Sequence, residues 1–132
     1  MALKITEDLM LEKFSGYLSK DETEIYPIYA IKLNWFITLL SKYYFIALTN
    51  KRILISRVSS LLNEKDFMEI RPEEIKSCSM KKAPLGKAIE IRLKDGSVLK
   101  AKANNKVLGL SNQSENIERL YNFFQKINNL NP

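Results

Sequence analysis

A single thiol, no imidazole and a dense run of lysines set the chemistry open to this sequence. Cys78 is the only cysteine among 132 residues, and histidine is absent. A nucleophilic cysteine needs a base to take its proton, and the usual one is missing. Zinc wants four good ligands, and one cysteine among carboxylates is a poor set. The chain has no Gly-rich phosphate cradle and no paired-carboxylate motif. The expectation is a non-enzyme with no catalytic residue, no metal, no cofactor and no small-molecule substrate. Cys78 reads as a buried structural residue, because free cysteine is among the most buried types. One thiol excludes an intrachain disulfide and suits a reducing, cytoplasmic setting.

Charge offers more. The net charge is +6, and residues 75–106 hold it. Lys76, Lys81, Lys82, Lys87, Arg92, Lys94, Lys100, Lys102 and Lys106 stand there against Glu90 and Asp95 alone. Such asymmetry marks a surface for an acidic partner, or else a solvated lysine-rich face. Arg92, Lys94, Lys100 and Lys102 are candidates to bind anions. For nucleic acid they could track phosphates, but no aromatic residue on the same faces offers a stacking platform, so this is the distant alternative.

The segment Asn34-Trp35-Phe36-Ile37-Thr38-Leu39-Leu40-Ser41 is strongly apolar, with Lys32 and Lys42 on its flanks. Trp35, Phe36, Ile37, Leu39 and Leu40 are candidates for an interface if exposed. Beside an anionic membrane, Lys32 and Lys42 would each contribute on the order of 1 kcal/mol. The longest apolar stretch, Ala30 to Leu48, is broken by Lys32, Asn34 and Lys42, too soon for a membrane span. No segment has the layout of a signal peptide.

The elements that would carry these residues are mostly strands. Thr6 can cap a short helix over 6–15, with Glu7 and Asp8 in its first turn and Leu9, Leu11 and Phe14 as contacts. An extended run over 23–33 contains Pro27, which predicts an edge or a bulge there. The clearest hairpin joins 43–49 to 52–58 through Asn50-Lys51. It places Leu48 opposite Ile53 and Ile46 opposite Ile55 on one face, and Phe45, Ala47 and Leu54 on the other. Both faces are apolar, so the second needs a cover: the 6–15 helix, the 34–41 loop or another subunit. Phe45 and Leu54 therefore join the interface candidates. Short strands follow at 66–70, 75–82, 88–94 and 98–103.

Parity decides the last turn. A two-residue Asp95-Gly96 loop would set Lys100 against Ile91 inside the core. A three-residue Lys94-Asp95-Gly96 loop, with Gly96 left-handed, sets Leu99 against Ile91 and Lys100 against Glu90 instead. A helix over 113–127 then carries Ile117, Leu120, Tyr121, Phe124 and Ile127 as one stripe, with Asn112 or Ser114 as a cap.

The segment Ala47-Leu48-Thr49-Asn50-Lys51-Arg52-Ile53-Leu54-Ile55 resembles the signature hairpin of bacterial pleckstrin-homology-like (PH-like) and GRAM-like domains. Ile70 to Ile75, with Pro-Glu-Glu between, is similar to the next element, and Ile89 to Leu99, with Asp-Gly-Ser, to the last hairpin. The resemblance covers residues 20–128 and implies a mostly β fold: a seven-stranded antiparallel barrel closed by a C-terminal α-helix. Residues 20–132 would form that domain and 1–19 an N-terminal helical extension. It also implies a binding or scaffold module, and the two-faced hairpin with the apolar 34–41 segment points to a protein partner or self-assembly as a homo-oligomer. The alternative is peripheral binding to acidic lipid, at the inner membrane face, through the 32–42 loop. Relatives that bind phosphoinositides end the first loop in Lys/Arg-X-Arg; here Lys42-Tyr43-Tyr44 lacks the final Arg.

Overall fold

The computed structural model describes residues 5–32, 43–59 and 64–130. In chain order the elements are α1 (Glu7–Phe14), β1 (Ile25–Lys32), β2 (Tyr43–Thr49), β3 (Ile53–Val58), β4 (Glu64–Ile70), β5 (Ile75–Ala83), β6 (Gly86–Leu93), β7 (Val98–Asn104) and α2 (Gln113–Leu130). All seven strands share one antiparallel sheet, ordered β4-β3-β2-β1-β7-β6-β5. The mostly β architecture with two flanking helices is as expected, but the sheet does not close into a barrel. A 3-10 turn at Pro72–Glu74 links β4 to β5. The two remain the sheet's outer edges.

Two apolar layers follow from strand alternation. On one face Ile28, Ile46, Ile53, Ile55, Ile89 and Ile91 pack with Ile117, Leu120, Phe124 and Ile127 of α2. On the other, Phe45, Ala47, Leu54 and Val58 pack with Met10 and Phe14 of α1 and with Leu110. The cover expected for the second face is thus the chain's own helix. Met10, rather than Leu11, is the residue buried beside Phe14. The Thr6 hydroxyl caps α1 by accepting from the Leu9 N–H at 3.1 Å. The Glu7 carboxylate ties α1 to the start of α2 by accepting from the Asn112 N–H at 2.7 Å.

The expected registers are observed. Leu48 opposes Ile53, Ile46 opposes Ile55 and Phe45 opposes Ser56. Ile91 opposes Leu99 and Glu90 opposes Lys100. Gly96 has φ 96, and its N–H reaches the Leu93 carbonyl at 3.0 Å, closing the three-residue loop.

Pro27 sits at a local edge without a bulge. Although β1 lies between β2 and β7, β7 pairs with it only at Ile31 and Lys32. Side chains of α2 serve the vacant stretch. Asn116 donates its amide to the Pro27 carbonyl at 2.9 Å. Gln113 accepts from the Tyr29 N–H at 3.0 Å and donates to the Tyr29 carbonyl at 2.8 Å.

Candidate functional site

Three groups of polar residues stand out, and they differ in whether their charges are already used. The first is the β2–β3 turn. Thr49 Oγ1 accepts from the Lys51 N–H at 3.1 Å and the Arg52 N–H at 3.0 Å, and donates to Glu22 at 2.7 Å. Arg52 grips Glu22 with two nitrogens, at 3.0 and 2.7 Å. It also pairs with Glu69 of β4 and donates to the Tyr17 carbonyl at 2.7 Å. Asn50 accepts from the Thr23 N–H at 3.1 Å and donates to the Asp21 carbonyl at 2.9 Å. Lys51 pairs with Asp21. Glu22 is buried, and the Arg52 guanidinium holds its carboxyl down to about 2. Thr49-Asn50-Lys51-Arg52 is therefore a clasp that fastens residues 17–24 and β4 to the hairpin. Its charged groups are paired within the protein.

The second group is the outer face of β5–β7. Arg92 and Lys100 both lie beside Glu90, at 3.3 and 3.6 Å. Lys102 opposes Ala88, whose other neighbour across the ladder is Lys81. Lys94 sits in the β6–β7 loop, where its N–H bonds to the Glu74 carbonyl at 2.9 Å. Arg92, Lys100 and Lys102 share this strand face, with Glu90 offsetting part of their charge.

The third group is on the inner face of the same strands. The β5–β6 turn has two residues, Pro84-Leu85, closed by the Ala83–Gly86 pair. That parity continues the inward row Cys78, Met80 and Ile89, Ile91 onto Lys82 and Lys87, which oppose each other directly. Like charges so placed repel. An open cleft of about 400 Å³ lies there, lined by Met80, Lys82, Lys87, Asn105, Ser114, Ile117, Glu118 and Tyr121. Tyr121, expected in the apolar stripe of α2, is instead 42% exposed on this cleft. The turn beyond carries Leu85 at φ 63 and 82% exposed. Its carbonyl accepts from the Asn105 N–H at 2.9 Å. Gly86 lets β6 approach β7: a Cβ there would meet the Ala103 carbonyl oxygen at 2.1 Å.

Other sequence candidates fall elsewhere. Phe45 and Leu54 are fully buried under α1, which covers them within the chain and leaves neither as an exposed interface residue. Trp35, Phe36, Ile37, Leu39, Leu40 and Lys42 lie outside the described residues, as does the side chain of Lys32. Cys78 is buried, and burial pushes its thiol up to about 11. Its backbone carbonyl accepts from the Asn128 amide at 2.8 Å. No helix among the described residues is long and apolar enough to cross a membrane.

Lys82 and Lys87 escaped the reading of single strands. The signal was in the turn: a two-residue Pro84-Leu85 loop puts both lysines in phase with Ile89.

Comparison with known proteins places this geometry. Residues 18–126 match the family model described as Bacterial PH domain. The match begins after α1. No curated protein matches the sequence. Among solved structures, the C-terminal domain of an unknown protein from Leishmania infantum superposes with a TM-score of 0.56 at 11% identity, covering 90% of this chain and 97% of that one. The hSac2 domain from human phosphoinositide phosphatase Sac2 superposes with a TM-score of 0.59 at 8% identity, covering 93% and 80%. At these identities the likeness is one of fold.

Proposed function

The chain belongs to the bacterial PH domain family, generally a family of binding and scaffold modules, and we propose that this member docks on an anionic membrane surface through the basic β5–β7 lobe. The observation that carries the reading is where the charge lies once the chain is folded. The positive residues of 75–106 gather on three neighbouring strands and their turns. The clasp at Arg52, by contrast, is internally neutralised. Lipid is favoured over nucleic acid by the company these charges keep. The outer rows of β5–β7 are Ser77, Arg92, Val98; Ser79, Glu90, Lys100; and Lys81, Ala88, Lys102, with no aromatic side chain for a base to stack on. Exposed leucines stand at the lobe's end instead. Basic residues beside apolar ones are the pattern of a surface that lies on a membrane without spanning it.

A second reading is association through a protein partner or another copy of this chain. The outer edge of β4, which pairs with no further strand among the described residues, favours it, because a free edge is a template for a further strand.

Co-sedimentation with phosphatidylglycerol–phosphatidylcholine vesicles, across a salt series, tests the docking reading. Binding should require the anionic lipid and weaken steeply with salt. Equal retention on pure phosphatidylcholine, or none on either, would remove it. Light scattering at the same salts tests association: a species larger than the monomer that persists at high salt supports the second reading.

A further inference from the structure

Resting on the membrane reading, we infer that the cleft between the β5–β6 hairpin and α2 is the point of attachment, taking the phosphate of an anionic lipid between Lys82 and Lys87 while Leu85 enters the apolar layer. Lys82 and Lys87 face one another across the ladder on the sheet's inner side, where the preceding rows hold Cys78 with Ile91 and Met80 with Ile89. At this end of the row Lys82 is exposed and Lys87 half-buried, so both side chains are open to a ligand in the cleft. Two ammoniums there repel each other, and among the described residues neither has a carboxylate within salt-bridge distance. An anion between them would turn that repulsion into two charge-assisted contacts. The lining has one carboxylate, Glu118, against the two ammoniums, so it remains positive. Asn105 and Ser114 offer polar donors, and the cleft, about 400 Å³, has room for a headgroup.

The turn beyond the lysines supplies the second observation. Leu85 is held at φ 63, a conformation that leucine disfavours, and is 82% exposed. A glycine or asparagine would serve the turn better. Leucine makes sense there if its side chain has an apolar medium to enter, which bulk water is not. Leu108, 86% exposed, lies on the segment that follows Asn105, whose N–H is bonded to Leu85. Phosphate-binding lysines set just behind an exposed leucine match the depth profile of a lipid: charged group outside, hydrocarbon within.

Two paired variants and two ligands test the site. Lys82→Gln with Lys87→Gln removes the cleft's charge. Lys100→Gln with Lys102→Gln removes as much charge from the outer face. On phosphatidylglycerol vesicles the cleft pair should lose about tenfold or more in affinity and the outer pair about threefold or less. Leu85→Gly should also weaken vesicle binding while leaving NMR shifts induced by glycerol 3-phosphate at Lys82 and Lys87 unchanged. Each variant's melting curve guards against misfolding. If both lysine pairs lose equally, the lobe still docks but the cleft is not its anchor, and the inference is overturned. If the wild-type chain ignores vesicles, the docking reading fails with it. Shifts with glycerol 3-phosphate in that case would reassign the cleft to a free phosphate ester and overturn the lipid as its occupant.

Discussion

Two tight turns of this sheet have the same length and similar ingredients, yet they spend their charges differently. At Asn50-Lys51, the neighbouring Arg52 holds Glu22 and Glu69, and Lys51 holds Asp21. At Pro84-Leu85, Lys82 and Lys87 hold no partner among the described residues, and the residue at the tip is a strained, exposed leucine. The first turn is the more distinctive in sequence, and its side chains are absorbed by the fold. The second is inconspicuous in sequence and leaves its groups free. A distinctive polar motif can thus report on how a domain is assembled, while the surface available for binding lies where the fold leaves charge unsatisfied.

The sharpest way to break this contrast is to remove Arg52. Arg52→Ala leaves the buried Glu22 carboxylate without a cation, held only by hydrogen bonds from Thr49 and Ser19, and should cost roughly 3–5 kcal/mol in a urea unfolding series. Acid titration reads the same bond. The folded-state value of Glu22, about 2, lies below its ordinary 4.5, so the pair's stabilisation is complete above that ordinary value and is lost as pH falls from there toward 2. The wild-type chain should lose stability across that window, and Arg52→Ala should show a shallower decline.

Gly86→Ala tests the closeness of β6 and β7. The added methyl meets the Ala103 carbonyl oxygen at 2.1 Å, a backbone atom with no easy retreat. The melting midpoint should fall, by an amount corresponding to roughly 1–3 kcal/mol. A neutral result would mean that the hairpin can shift, and that the cleft below it has no fixed shape.

Leu85→Gly should move stability the other way. It releases a left-handed leucine, worth about 1–2 kcal/mol, against a glycine entropy cost of about 0.5–1 kcal/mol, so a net gain of up to about 1.5 kcal/mol is expected. The smallest effect belongs to Lys82→Gln and Lys87→Gln singly, each within about 0.5 kcal/mol and tending upward as repulsion is relieved. A marked loss in either would show that these lysines, like Arg52, serve the fold, and the contrast between the two turns would disappear.

What could be read from the sequence followed strand parity. Ile91 against Leu99, Glu90 against Lys100 and left-handed Gly96 all come from asking which loop length keeps Lys100 out of the core. The two-faced hairpin announced its need for a cover, and α1 supplies it. Less was legible where the partner is distant in sequence. Nothing near Arg52 announces that Glu22 and Glu69 will converge on it. Tyr121 has the spacing of the α2 stripe but lies on the cleft, whose sheet side includes Lys82 and Lys87 as well as Met80, and the ring stays partly exposed. The barrel inferred from family resemblance is not observed: the strand order ends at β4 and β5, which do not pair with each other.

The amides of Gln113 and Asn116 have a consequence for the order in which the molecule can be made. They stand in for a strand along the vacant side of β1, yet they belong to the element that follows every strand in the chain. During synthesis the sheet therefore emerges before the piece that finishes it. Until α2 leaves the ribosome, β1 carries a bare stretch of backbone from Pro27 to Tyr29, and the inner apolar layer has no lid. Pro27 blunts that interval, since a proline offers no N–H for a stray strand to join. The nascent sheet is guarded by the residue whose later partner is the helix.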